Sequence, residues 1–133
     1  MRIAITGGSG FIGKWFIKEF GGKYKCVIFG RKKDINELKI AGEKYKYIRT
    51  DFSNDQLVRQ LEGFDAVIHL AAIKYTKDRT RLSDYEDNIR ISENLLKVCS
   101  QLNISNFVFA STRSIYSDKF NKIPFLENEN VFP

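Results

Sequence analysis

The sequence predicts an α/β fold built on a doubly wound parallel sheet, and three observations carry that expectation. Short apolar runs alternate with amphipathic stretches along the chain. Several of these runs are continuously apolar, as strands buried on both faces require. A glycine-rich turn joins the first run to the first amphipathic stretch. Strands that alternate with helices imply parallel βαβ units.

Residues 2–6 (R-I-A-I-T) read as the first strand, and residues 7–13 as the glycine turn. Ile12, Phe16 and Phe20 then recur at helical spacing, and Gly21-Gly22 ends that helix. Residues 26–29 are a continuous apolar strand. Residues 34–41 are expected to form a short helix capped by Asp34. Residues 45–49 read as a third strand and 54–61 as a helix. Residues 66–70 are a fourth strand. A long helix spans roughly residues 83–102, with Ile91, Leu95, Val98 and Leu102 on one face. Residues 107–110 are a fifth strand, and beyond them the pattern becomes irregular through Pro124 to Pro133. Right-handed crossovers would give the strand order 3-2-1-4-5.

Composition narrows the function classes. The 133 residues suit one domain, and 43% hydrophobic with 29% charged argues against disorder. The net charge is +6. Its lysines and arginines are dispersed, which fits either a solvated surface or a basic rim that attracts a phosphorylated ligand. No nucleic-acid motif accompanies the charge, so a nucleic-acid partner is not expected. Cys26 and Cys99 sit in apolar runs without metal-ligand spacing, so no metal is expected and a reducing cytoplasm is. There is no signal-peptide pattern, and no apolar run approaches the ~18 residues of a membrane span.

The strongest motif is Thr6-Gly7-Gly8-Ser9-Gly10-Phe11-Ile12-Gly13. Gly7 permits a tight turn out of the strand. Gly10 lets the backbone approach a pyrophosphate, and Gly13 lets the helix pack closely on the sheet. The helix N-terminus then offers unpaired N–H groups to an anion. Between a strand and an amphipathic helix, this is what dinucleotide binding requires. The turn of a Rossmann-type sheet is therefore expected here, with a merely structural glycine-rich turn as the alternative.

The motif resembles the T-G-x-x-G-x-x-G fingerprint of the extended short-chain dehydrogenase/reductases, which include nucleotide-sugar epimerases, dehydratases and reductases. Four further segments match in order. Asp51-Phe52 resembles the family's acidic-apolar pair at the adenine ring. His69-Leu70-Ala71-Ala72 resembles its H-x-A-[AG] run. Asn88 stands where the family has an Asn in its long helix. Ser111-Thr112-Arg113-Ser114-Ile115-Tyr116 resembles its S-S-x-x-V-Y segment. The resemblance implies a cofactor site that includes Gly7, Ser9, Gly10, Phe11, Ile12, Gly13, Asp51, Phe52, Leu70, Ala71, Ala72, Lys74 and Asn88. Each position also has a structural reading. Asp51 or Ser53 could cap the next helix, Lys74 could be a solvated loop residue, and Asn88 an ordinary helix residue. His69, the single histidine, reads as structural.

At the end of the second strand the sequence has Gly30-Arg31-Lys32-Lys33, with no acid before Asp34. An acid there usually accepts the ribose 2′-hydroxyl of NAD. Arg31, helped by Lys32, suits a 2′-phosphate instead, which favours NADP over NAD.

The resemblance also implies hydride transfer at a sugar carbon, with Thr112 and Ser111 orienting the substrate hydroxyl. The family's base is a tyrosine with a lysine four residues later, and none of the six tyrosines here has that partner. The pair would fall at or beyond residue 133. Residues 1–133 are therefore expected to be one incomplete NAD(P)-binding domain, inert alone, with the substrate domain downstream and its nucleotide sugar unidentified. A non-catalytic NADP-binding regulatory or redox-sensing module is the alternative. An open fifth strand would invite self-association, so a homo-oligomer is expected.

Overall fold

The computed structural model describes residues 1–74, 76–78 and 81–112. Among them, six strands form one sheet: β1 (Arg2–Thr6), β2 (Lys25–Gly30), β3 (Glu37–Ile40), β4 (Glu43–Arg49), β5 (Ala66–His69) and β6 (Asn106–Phe109). The helices are α1 (Phe11–Phe20), α2 (Asn54–Leu61) and α3 (Glu86–Gln101), and a 3-10 turn over Leu82–Tyr85 leads into α3. The strand order is β3-β4-β2-β1-β5-β6. Every pair from β4 to β6 is parallel. These five strands stand in the expected 3-2-1-4-5 order.

The remaining strand corrects one expectation. Residues 34–41 form no helix, and Asp34 caps nothing. It has a left-handed backbone with φ 59°. The segment instead contributes β3, antiparallel to β4, with Ile40 opposite Glu43. Ala41 and Gly42, the two residues between, have φ of 50° and 92°. That is the two-residue hairpin turn whose backbone twist matches twisted strands. Burial alternates along β3, with Ile40 buried and Leu38 half-buried between exposed Glu37 and Lys39. The alternation has the period of a strand, not of a helix.

The parallel strands alternate between two cores. Ile3, Ile5, Cys26, Ile28, Ala66 and Ile68 face one side, against Ile17 of α1 and Ile40 of β3. Ala4, Val27, Phe29 and Val67 face the other, against Leu57 and Leu61 of α2 and Ile91, Leu95, Val98 and Cys99 of α3. The helices thus lie on both faces, as the apolar runs predict. On α1 the buried positions are Gly13 and Ile17, while Ile12 remains 61% exposed. The close contact at Gly13 turns the helix so that its inward stripe is one residue beyond the expected one. Burial pushes the Cys99 thiol up to about 11, which fits an inert core residue.

Leu95 is 1% exposed in the larger core. Leu95→Ala is expected to cost about 2–5 kcal/mol of stability, read as a lower urea midpoint at unchanged slope.

Candidate functional site

The site begins where β1 ends. Gly7 has φ 72°, a conformation that favours glycine. A Cβ on Gly7 would sit 2.7 Å from the backbone of Leu70 and Ala71. The segment after β5 therefore lies directly on the turn after β1. Gly10 N–H donates to the Gly7 carbonyl at 2.9 Å and closes the turn. A Cβ on Gly13 would lie 2.5 Å from the Gly7 oxygen and from Gly8 Cα, so α1 rests on the turn with no room for a side chain. Gly10 is the N-cap of α1, and no side chain caps it. The first N–H groups of α1 thus remain available to an outside acceptor. Phe11 and Ile12 open that helix with their side chains exposed.

A cavity of about 270 Å³ opens beside this turn. Of the residues expected at the cofactor, Gly7, Ser9, Arg31, Lys32, Phe52, Ala71, Ala72 and Asn88 line it. A second cavity of about 410 Å³ lies beyond Arg31, which lines both, and is bounded also by Arg49, Thr50, Asp51 and Gln56. Leu70 packs against the turn instead of lining either cavity. Lys74, Ser111 and Thr112 are exposed and line neither. The remainder of the last motif, from Arg113 to Tyr116, and the stretch from Pro124 to Pro133 lie outside the described residues.

Asp51 and Phe52 are held by local bonds. Ser53 N–H donates to Asp51 Oδ1 at 2.7 Å, and this bond holds the carboxyl below the usual range. Ser53, not Asp51, is the N-cap of α2, with its hydroxyl accepting from Gln56 N. Phe52 is buried with φ 62°, rare for an aromatic residue. Its N–H donates to Thr50 Oγ1, and its carbonyl accepts from Asn94. Those bonds hold the strained backbone in place at the cavity wall.

One chain of hydrogen bonds fixes the opposite wall. Thr6 Oγ1 accepts from Ala71 N–H at 3.2 Å and lies 2.6 Å from His69 Nδ1, which accepts its proton because Ser92 Oγ, with its own proton committed to Asn88, takes the one ring N–H at Nε2. His69 Nε2–H then donates to Ser92 Oγ at 3.1 Å, and Ser92 donates to the Asn88 carbonyl at 2.7 Å. The Asn88 side chain grips Ile73 at both ends, accepting from its N–H at 2.7 Å and donating to its carbonyl at 3.0 Å. Neutral His69 is thus a structural link, as its sequence context suggests, and Asn88 shapes the wall through Ile73.

Two contributors were not legible in the sequence. Tyr47 is buried, and its hydroxyl accepts from Lys32 N–H at 3.0 Å. It sits where a Cβ on Gly30 would be, 2.3 Å from its hydroxyl oxygen. The bare Gly30 was its one sequence signal. Asp87 reaches Arg31 from α3 at 2.8 Å, and nothing in the sequence pairs these residues. Among the described residues, no cluster of His, Cys, Asp or Glu could hold a metal ion. No helix among them is long and apolar enough to cross a membrane.

Two outcomes follow from this geometry. Gly13→Ala forces backbone apart and is expected to cost at least about 1–3 kcal/mol, read as a lower melting temperature. Burial holds the His69 pKa below its ordinary 6.5. The unfolded chain therefore binds the extra proton first. The stabilising contribution of neutral His69 is complete above pH 6.5 and is lost as pH falls through the folded-state pKa. Melting curves from pH 7.5 downward should show this loss, and His69→Gln should lack it.

The comparisons with known proteins agree with this architecture. The model of the NAD dependent epimerase/dehydratase family matches residues 3–132. The uncharacterized UDP-glucose epimerase YtcB of Bacillus subtilis is 30% identical over all of this chain, which spans 46% of that protein. The structure of UDP-N-acetylglucosamine 4-epimerase from Bacillus cereus is 34% identical and superposes with a TM-score of 0.83, covering 100% of this chain and 46% of its own. UDP-glucose 4-epimerase from Brucella ovis, solved in complex with NAD, shares the fold at 24% identity with a TM-score of 0.82, over 99% of this chain and 42% of its own. The chain thus spans less than half the length of these relatives. On its sequence match and its fold, the chain belongs to the NAD dependent epimerase/dehydratase family.

Proposed function

We propose that the cleft at the carboxyl ends of β1, β2, β4 and β5 binds a nicotinamide dinucleotide, and that the chain is the cofactor-binding portion of a nucleotide-sugar epimerase, dehydratase or reductase. The observation that carries this reading is the Gly7 turn, which presents the uncapped N-terminus of α1 beside the cavity. The residues fit the group. A pyrophosphate needs a bare backbone and unpaired N–H groups, and Gly7, Gly10 and the first turn of α1 supply both. The adenosine half would extend past Phe52 toward Arg31 and Asp51. Ala71 and Ala72 would leave room for the dinucleotide across the strand ends.

When bound, such a cofactor supplies hydride transfer to and from a sugar carbon. The chain's own part is to bind and orient. Ser111 and Thr112, next to the end of β6, would direct a substrate hydroxyl, and Lys74 would reach ligand from its exposed loop. No tyrosine in the 133 residues has a lysine four positions later. The reading therefore assigns binding, not turnover, to these residues alone. Val108 and Phe109 of β6 are more than half exposed, which supports contact with further chain or a second copy.

The finer reading is a preference for NADP. Arg31 and Lys32 border the cavity where NAD-binding sites usually place an acid. Calorimetric titration should give saturable binding of both dinucleotides, tighter for NADP. Arg31 is half exposed, with 50% of its side-chain surface accessible. Arg31→Ala should therefore weaken NADP at the low end for a charge-assisted bond, about 1.5 kcal/mol or roughly tenfold, with little effect on NAD. Binding of neither dinucleotide overturns the reading. Equal affinities unmoved by the substitution overturn the preference alone.

A further inference from the structure

We propose that Asp87 tunes the choice between NAD and NADP, as the counter-ion that a ribose 2′-phosphate must displace from Arg31. The inference rests on reading the cleft as a dinucleotide site and adds to it a residue that the sequence does not point to. No acid lies between the end of β2 and Asp34. The fold brings one there from another element. Asp87 stands in the first turn of α3, 56 residues along the chain from Arg31, with its Oδ2 2.8 Å from Arg31 Nη1. Its other oxygen, Oδ1, accepts from Arg90 Nε at 3.1 Å and from Arg90 Nη2 at 2.9 Å. One carboxylate thus serves two guanidinium groups, one oxygen to each.

This geometry treats the two dinucleotides differently. A phosphate that approaches Arg31 meets the negative charge of Asp87 beside it, and like charges that close repel. It must also take over Nη1 to use the full guanidinium fork. The 2′-hydroxyl of NAD is neutral and does neither. Asp87 therefore weakens NADP and leaves NAD nearly unaffected. Arg90 limits the penalty, because the carboxylate keeps its second partner when Arg31 turns to phosphate. Arg31 and Asp87 have 50% and 35% of their side-chain surface exposed, so water screens the pair. The effect is severalfold rather than thousandfold.

Asp87→Asn keeps the shape and removes the charge. In calorimetric titrations of the chain, the variant should bind NADP about three- to fivefold more tightly, with NAD affinity changed less than about twofold. In an Arg31→Ala background the same substitution should give a smaller gain, because the competition for Nη1 is gone and only the charge repulsion is left to relieve. A melting curve establishes that the variant is folded, and Asp87→Ser carries the same test if Asp87→Asn is not. An unchanged ratio of NADP to NAD affinity overturns the inference alone. A loss of NADP affinity also overturns it, since Asp87 would then support Arg31 instead of competing for it. Binding of neither dinucleotide by the unsubstituted chain overturns the dinucleotide reading and this inference together.

Discussion

The close approach of three backbone segments at Gly7 sets the geometry on which the rest of the site depends. The turn after β1, the start of α1 and the segment after β5 meet there with no side chain between them. Gly7 faces Leu70 and Ala71, and its carbonyl faces Gly13. A methyl group at either glycine would collide with backbone, which cannot move aside as a flexible side chain can. Because the three segments touch, the N-terminus of α1 and the ends of β1 and β5 share one cleft. The same contact turns α1 so that Ile17 enters the core and Phe11 and Ile12 stay outside.

Polar groups extend that order outward. Thr6, His69, Ser92 and Asn88 link β1, β5 and α3, and the link ends on the backbone of Ile73. Along this part-buried link both hydroxyls and both ring nitrogens have a hydrogen-bond partner. A neutral histidine suits the position because it can accept at one nitrogen and donate at the other. On the other wall, the strained backbone of Phe52 is held by Thr50 and Asn94. The cavity is thus framed by residues whose positions are set before any ligand enters, which lowers the ordering cost of binding.

Charge is distributed less rigidly. Arg31, Asp87 and Arg90 form a partly solvated trio at the rim, where contacts are individually weak and exchangeable. A rim of this kind can alter ligand choice without a change in the fold. Arg31 and Arg90 share the Asp87 carboxylate, so the three charges form one electrostatic balance.

By itself the sequence determined the parallel strand order, the glycine turn, the two-sided burial of β1, β2 and β5, and the structural place of His69. These follow from local periodicity and from glycine's missing side chain, which neighbouring residues report directly. Only the tertiary structure decided that residues 37–40 pair as β3 with β4. An eight-residue stretch with mixed polarity suits a short helix or a hairpin, and the cover that Leu38 and Ile40 gain over the sheet selects the hairpin. Only the tertiary structure could show Tyr47 seated on Gly30, or Asp87 beside Arg31. Such pairings join distant parts of the chain, and no local pattern records which side chains the packing of α3 beside the strand ends will bring together.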